Sequence, residues 1–431
     1  MRRLAHTTLP LLLTAPILLL SACDSDNRDE LDDSGINADG DDGDVGDSGA
    51  LDTDGEENTD ALTAMFDAAS SEFNVPSPIL RAVAQVETRW QMVQGMVEFD
   101  GQEATTGIMG LRGAALDEGA ALAGVTKAEA GGDPLSNIRA GAALLSSMAD
   151  QHGIADRNDF EAWAPVLAEY SGIEVDDARN GYVFGEVLPE AYAAVENEGS
   201  VGGITGVTFK GSEAVPAAPG PNHAGSIWRA SPNHSARPAG TAGKPSMVII
   251  HTCEGSYSGC WGWLVNSQAG VSAHYVVNNT GSEISQLVDE SRKAWHIAAK
   301  YDCSLNSSVD CGKNGASSNN FTIGIEHAGY AKQASWDNNL YQASANLVCD
   351  ITKDQSIPRD QYHIVGHGKL QPYNRIDPGP NWNWAKYLDM VNVACGANPQ
   401  PEPQPEPDPV PEPEPGPNPG PSPVDITIDS N

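Results

Sequence analysis

Residues 364–384 read IVGHGKLQPYNRIDPGPNWNW. The stretch offers His367 and, ten positions on, Asp377 in a D-P-G-P turn. An imidazole and a carboxylate held by a stiff Pro/Gly-rich loop are good ligands for a borderline cation such as Zn²⁺. A third ligand of the same kind, His251, closes the apolar run Met-Val-Ile-Ile-His at 247–251. Three protein ligands leave one zinc position open, the arrangement of a catalytic rather than a structural site. Taken singly, each residue also has a plainer reading as a surface histidine or a turn aspartate.

The formal charge of −35 is unevenly spread. Residues 24–60 hold 16 acids and one base, and 396–431 hold seven acids and no base. Two solvated acidic flanks therefore carry much of the excess. No basic stripe is present, so nucleic acid is not an expected partner.

The first 23 residues read as an export signal: Arg2 and Arg3, a broadly apolar stretch over 9–20, then the small pair Ser21-Ala22. The apolar part is too short to span a bilayer. Leu20-Ser-Ala-Cys23 resembles the bacterial lipobox, which implies a lipidated Cys23 and an anchored protein. The expected location is periplasmic or cell-surface, with the outer membrane the favoured address, and Asp24 bears on that choice. The remaining six cysteines, Cys253, Cys260, Cys303, Cys311, Cys349 and Cys395, all fall in the C-terminal part. An even count in an exported chain implies disulfides, and the sequence-local pairing 253–260, 303–311, 349–395 is expected. A thiolate zinc site competes with this, but no C-x-x-C pair supports it.

Composition divides the rest. The Asp/Gly/Ser-rich 24–60 reads as a disordered tether. Helical spacing begins at about 61: 61–73, 79–90 (carrying Glu87), 135–145 (Ser136 or Asn137 as cap) and 161–170 read as helices, with no strand-like alternation before about 200. Residues 200–221 read as a linker. Strands are expected at 247–252 and 321–326, a hairpin over 273–287 turning at 279–281, and a helix from 340 to about 355. After Cys395 the Pro/Glu-rich 396–431 reads as polyproline II or disorder.

Glu326, in GIEHAG, lies at the end of an expected strand. A carboxylate beside a metal-activated water can take its proton and deliver it to a leaving nitrogen. Arg375, two positions before Asp377, is placed to stabilise an oxyanion. Together they suggest an amide hydrolase. On the pieces VIIHT, VSAHYVVNNTGSEISQLV, KAWHIAA, FTIGIEHAG and GHGKLQPYNRIDPGPNWNW, residues 222–395 resemble the type-2 N-acetylmuramoyl-L-alanine amidases, which share a fold with peptidoglycan-recognition proteins. The resemblance implies His251, His367 and Asp377 as Zn²⁺ ligands and Glu326 as catalytic acid/base. It also implies peptidoglycan as substrate, cut between N-acetylmuramic acid and L-alanine. Many family members carry Lys where this chain has Arg375, whose fork geometry differs. His274 is expected as a packed strand residue, His296 either as that or as part of the substrate groove, and His363 as structural.

Residues 61–199 form the other expected domain. The pieces AVAQVETRW, TGIMGL, NIRAGAALL and LAEYSG resemble the lysozyme-like lytic transglycosylases. That resemblance implies Glu87 as a general acid in glycan cleavage. The chain departs from the family pattern at Thr88, Gly110 and Ala168-Glu-Tyr-Ser-Gly172, so a glycan-holding domain without turnover is the alternative. The expected whole is an all-α lysozyme-like domain followed by an α/β zinc amidase domain (222–395) with a mixed central sheet. It is expected to be a monomer bound to peptidoglycan and, through Cys23, to a membrane. A peptidoglycan-binding lipoprotein without turnover, or a mainly glycan-cleaving enzyme, are the competing readings.

Overall fold

Four neighbouring parallel strands decide the architecture of the C-terminal half. In this computed structural model, which describes residues 55–99, 101–196 and 221–396, the C-terminal half contains β3 (Ile227–Trp228), β4 (His234–Ala236), β5 (Met247–Ile250), β6 (Tyr275–Val277), β7 (Ile284–Gln286), β8 (Arg292–Ala294), β9 (Thr322–His327) and β10 (Ile364–Gly366). Among the described residues, six of them form one sheet in the order β10-β5-β9-β6-β7-β3. The first four run parallel, β6–β7 is the antiparallel hairpin, and β3 is parallel to β7. Interior parallel strands are buried on both faces, hence the unbroken apolar runs at β5 and β9. Val248, Ile250, Ile323 and Ile325 pack against α10 (Asn338–Gln355) and α12 (Trp384–Ala394), while Met247, Ile249 and Val365 face Ile297, Tyr301 and Phe321. Two more helices, α9 (Tyr257–Val265) and the short α11 (His367–Leu370), complete this half. Cys253–Cys260, Cys303–Cys311 and Cys349–Cys395 are paired, the sequence-local set; the last ties the end of α12 to α10.

The N-terminal half is built from α1 (Gly55–Phe73), α2 (Ser77–Thr88), α3 (Gly113–Ala123), α4 (Lys127–Gly132), α5 (Pro134–Gln151), α6 (Ala164–Ser171), α7 (Asp176–Asn180) and α8 (Leu188–Glu196), with a π-helical turn over Gly181–Val187. Their apolar faces share one core, including Phe66, Leu80, Val83, Ile138, Leu144, Trp163 and Tyr182. It departs from the all-α domain expected from sequence: β1 (Thr105–Thr106) and β2 (Leu111–Arg112) pair antiparallel. Two-residue strands are too short to produce a readable alternation. The turn between them uses Gly107 at φ +74° and Gly110 at φ +66°. A Cβ on Gly107 would lie 2.0 Å from the Asn137 amide, and one on Gly110 2.7 Å from Glu87 Cβ, so close packing as well as dihedral requires glycine.

Three boundaries differ from expectation. Helix α1 starts at Gly55, inside the expected tether. Helix α2 stops at Thr88 because Arg89 and Trp90 turn to φ +55° and +61°. The cap of α5 is Asp133, whose carboxylate accepts from Ser136 N (2.8 Å) with Pro134 in the first turn. Asn137 is instead buried, accepting from Met109 N (2.8 Å) and donating to Ala130 O (2.8 Å). The expected signal and lipid Cys23, most of the tether and of the linker, and the Pro/Glu tail lie outside the described residues. Among the described helices none is long and apolar enough to cross a membrane.

The two halves pack as parts of one compact unit. Phe99 and Ala178 from the helical half share a buried cluster with Tyr257, Trp261 and Leu264 of the α/β half. Glu254, at φ +50°, accepts through its carboxylate from Met96 N (2.8 Å) of the helical half and Ala331 N (2.7 Å) of its own.

Candidate functional site

Parallel strands end on the same edge of a sheet, and this chain uses that edge. His251 follows β5, His367 follows β10, and Glu326 stands near the end of β9. Asp377 arrives from the loop after α11, held by Gly368 N donating to its carbonyl (2.9 Å). All four are buried. His251 Nδ1 and His367 Nδ1 are 3.0 Å apart; Asp377 Oδ2 lies 3.2 Å from the latter and 3.4 Å from the former. Glu326 Oε1 lies 3.9 Å from His251 Nδ1.

These spacings can be tested against a metal. Four donors about 2.0–2.1 Å from a tetrahedral ion are about 3.3 Å from one another. The three observed separations scatter around that edge. Asp377 Oδ1 and Glu326 Oε2 are buried with no hydrogen-bond partner. Such orphaned atoms require an explanation, and a bound cation is a common one. Two imidazoles and a carboxylate suit zinc.

Hydrogen bonding fixes which imidazole nitrogens face the site. Thr322 Oγ donates to Ser318 O (2.9 Å), so it must accept from His296 Nε2–H (3.0 Å). His296 Nδ1 is then an acceptor for His251 Nε2–H (2.9 Å), which leaves the His251 Nδ1 lone pair directed into the site. His367 Nε2–H likewise donates to Gln371 Oε1 (3.2 Å). Partners of this kind set the tautomer and orientation of ligating histidines. His296, 9% exposed, is thus placed to orient His251. His274 is structural, accepting from Gly324 N (3.0 Å), and His363 pairs with Asp360 (2.8 Å).

A residue that sequence reasoning did not single out joins the cluster. Glu98, on the loop after α2, puts Oε1 3.5 Å from His367 Nδ1. His251, His367, Asp377 and Glu98 each offer one donor atom, all within 4.8 Å of one another. Cys253, Cys260 and Glu326 also gather, but the two sulfurs are consumed by their disulfide. Arg375 is turned toward Glu98, with Nη2 donating to its carbonyl (2.9 Å) and Nε 3.4 Å from its carboxylate.

Charges are crowded here. Burial, then Asp377, push the Glu98 carboxyl up to about 7. Burial, then Glu98 and Asp377, raise Glu326 well above the usual carboxylate range. Burial and the neighbouring His367 push His251 down to about 4. Burial acts to lower His367 too, but Asp377 and Glu98 outweigh it and raise it to about 10. Three buried carboxyls beside two imidazoles and one guanidinium make a pocket that favours a divalent cation.

Glu87 is elsewhere. It is 3% exposed in the last turn of α2, with its carboxylate 3.1 Å from Arg112 Nη2. Its carbonyl accepts from the hydroxyl of Tyr330 (3.1 Å), a residue of the α/β half. The crevice there is lined by both halves, by Glu87 and Arg89 on one side and Asn279 and Tyr330 on the other.

The family model described as N-acetylmuramoyl-L-alanine amidase matches residues 241–380, wholly within the α/β half. N-acetylmuramoyl-L-alanine amidase A of Achromobacter lyticus is 34% identical over 191 residues, covering 40% of this chain and 96% of that protein. The 1,6-anhydro-N-acetylmuramyl-L-alanine amidase AmpD of Citrobacter freundii is 28% identical over 179 residues, covering 37% and 87%. Its Haemophilus influenzae counterpart is 32% identical over 130 residues, covering 29% and 60%. This chain belongs to the N-acetylmuramoyl-L-alanine amidase family. Its enzyme class is accordingly that of the peptidoglycan amidases.

Proposed function

We propose that the chain hydrolyses the amide between N-acetylmuramic acid and L-alanine with Zn²⁺ held by His251, His367 and Asp377. The observation that supports this most is the meeting of three donors at tetrahedral-edge spacing with Glu326 beside them. Zinc in such a site supplies a water acidified to a pKa of ~7 and polarises the scissile carbonyl. Glu326 is then the group that takes the proton of the attacking water and hands it to the leaving nitrogen. Its burial suits it to hold that proton between the two transfers. Arg375, once its guanidinium is released from Glu98, would bind the developing oxyanion.

For the helical half we propose a glycan-holding role. Glu87 is engaged by Arg112, whose Nη2 lies 3.1 Å from its carboxylate, so that carboxylate is paired rather than free to face a glycosidic oxygen. A lysozyme-like fold with glycan cleavage is the competing reading for this half, and for the whole chain we propose an exported, monomeric lipoprotein anchored through Cys23. Digestion of purified peptidoglycan with mass analysis separates the readings. Free stem peptides, lost in Glu326→Ala, are expected. Anhydro-muramyl products lost in Glu87→Gln would restore the glycan-cleaving reading, and no free stem peptides from the parent protein would overturn the amidase mechanism.

A further inference from the structure

The α/β half supplies three donors and leaves a fourth tetrahedral position. Glu98, from the other half of the molecule, brings a fourth donor to the cluster, within 4.8 Å of the other three. Its Oε1 is 3.5 Å from His367 Nδ1, close to the same ~3.3 Å edge that the other donors define. The side chain is 6% exposed, and burying a carboxylate without a cationic partner is costly. Arg375 and the imidazole of His367 are near, yet Arg375 Nε approaches the carboxylate only to 3.4 Å and is itself without a hydrogen-bond partner. A cation bound by the other three donors would give Glu98 the counter-charge its burial demands.

The backbone around Glu98 is fastened to hold it there. Gly95 N donates to Thr105 O (2.8 Å), closing the base of the loop. Met96 N donates to the Glu254 carboxylate (2.8 Å), and the Glu98 carbonyl accepts from Arg375 (2.9 Å). Phe99, the next residue, is buried in the cluster with Tyr257 and Trp261. Residues 95, 96, 98 and 99 are thus each anchored, three of them to the α/β half. A loop glutamate that arrived in the site by chance would not be expected to have fixed neighbours on both sides.

We infer that Glu98 is a fourth protein ligand, lent by the helical half, that closes the metal's open position and keeps the amidase latent while it is bound there. This rests on the zinc reading of His251, His367 and Asp377. With Glu98 in place, a substrate carbonyl and an attacking water have no free coordination position, and Arg375 is occupied. Loss of the carboxylate alone frees the metal position, whereas Arg375 is also held by the Glu98 carbonyl.

The test uses the full chain, stripped of metal and reloaded. Zinc affinity is measured by competition with a chromophoric chelator for the parent protein, Glu98→Ala and the isosteric Glu98→Gln. Visible spectra of the cobalt-loaded proteins are recorded with and without azide. Outer partners of a ligand are worth about 10- to 100-fold in affinity, so loss of a direct ligand should weaken zinc binding at least about tenfold in both variants. The parent cobalt spectrum should not respond to azide, whereas both variants should shift. Equal zinc affinity in all three proteins, or a parent spectrum that responds to azide as the variants do, overturns the inference. The azide arm on the parent protein needs no mutation, so it decides the matter even if a variant misfolds. If the parent binds neither zinc nor cobalt, the ligand set itself fails, a result distinct from metal binding that is indifferent to Glu98.

Discussion

Thr322→Val tests whether the chain Ser318–Thr322–His296–His251 controls metal binding. Valine matches threonine in shape but cannot accept the His296 Nε2–H bond now made at 3.0 Å. Two outcomes are then open to His296, which is buried. It can keep its tautomer and leave a buried N–H unpaired, at a cost of about 1–3 kcal/mol. Or it can move the proton to Nδ1, where it would face the His251 Nε2–H across 2.9 Å. His251 would then have to protonate Nδ1, the nitrogen directed at the other ligands. If the cost falls on the loaded state, zinc affinity drops by about 5- to 150-fold, at 1.4 kcal/mol per factor of ten. Chelator competition at fixed pH measures this, and Thr322→Ser, which keeps the hydroxyl, should bind zinc like the parent. A Thr322→Val protein with unchanged zinc affinity would refute the proton relay as a control on His251.

Glu326→Gln should lower kcat by about 10²–10⁴ while zinc content stays at the parent level, because the amide cannot carry a proton between water and leaving group. Glu186 makes a pH prediction: burial, opposed by hydrogen bonds from Ser258 of the other half, raises its carboxyl to about 8. A folded-state value above the unfolded one contributes stability that is whole below about 4.5 and is lost as pH rises through about 8. Thermal midpoints should therefore fall across that window, and Glu186→Gln should flatten the slope. Removing Cys349–Cys395 by a double alanine substitution releases a loop with a sequence separation of 46 and should cost about 4 kcal/mol, read as a lower denaturation midpoint.

The strands that build the site could be read because parallel, doubly buried strands are apolar at every position, as 247–250 and 322–325 nearly are. Once those strands are parallel neighbours, the residues that follow them must converge. His251, Glu326 and His367 were therefore within reach of sequence reasoning. Glu98 was not. It sits in QMVQGMVEFD with no spacing to mark it, and its partners lie more than 150 positions away. Only the packing of one half on the other brings it in. His296 was ambiguous for a related reason: its role depends on Thr322 and Ser318, which pattern does not connect to it. The cap of α5 does carry a signal, the Asp133-Pro134 pair, but it lies ahead of the apolar spacing that begins at Leu135. The β1–β2 pair left none, since two residues cannot alternate.

Glu254 has a practical bearing on how this molecule can be dissected. Its carboxylate takes one amide hydrogen from each half, and around it the aromatic face of Tyr257 and Trp261 is covered by Phe99 and Ala178. Expressed alone, residues 222–396 would expose that aromatic face and strip the carboxylate of its Met96 donor. Such a fragment would be prone to self-association, and its kinetics would describe a truncated enzyme relieved of its partner, not the behaviour of the intact chain.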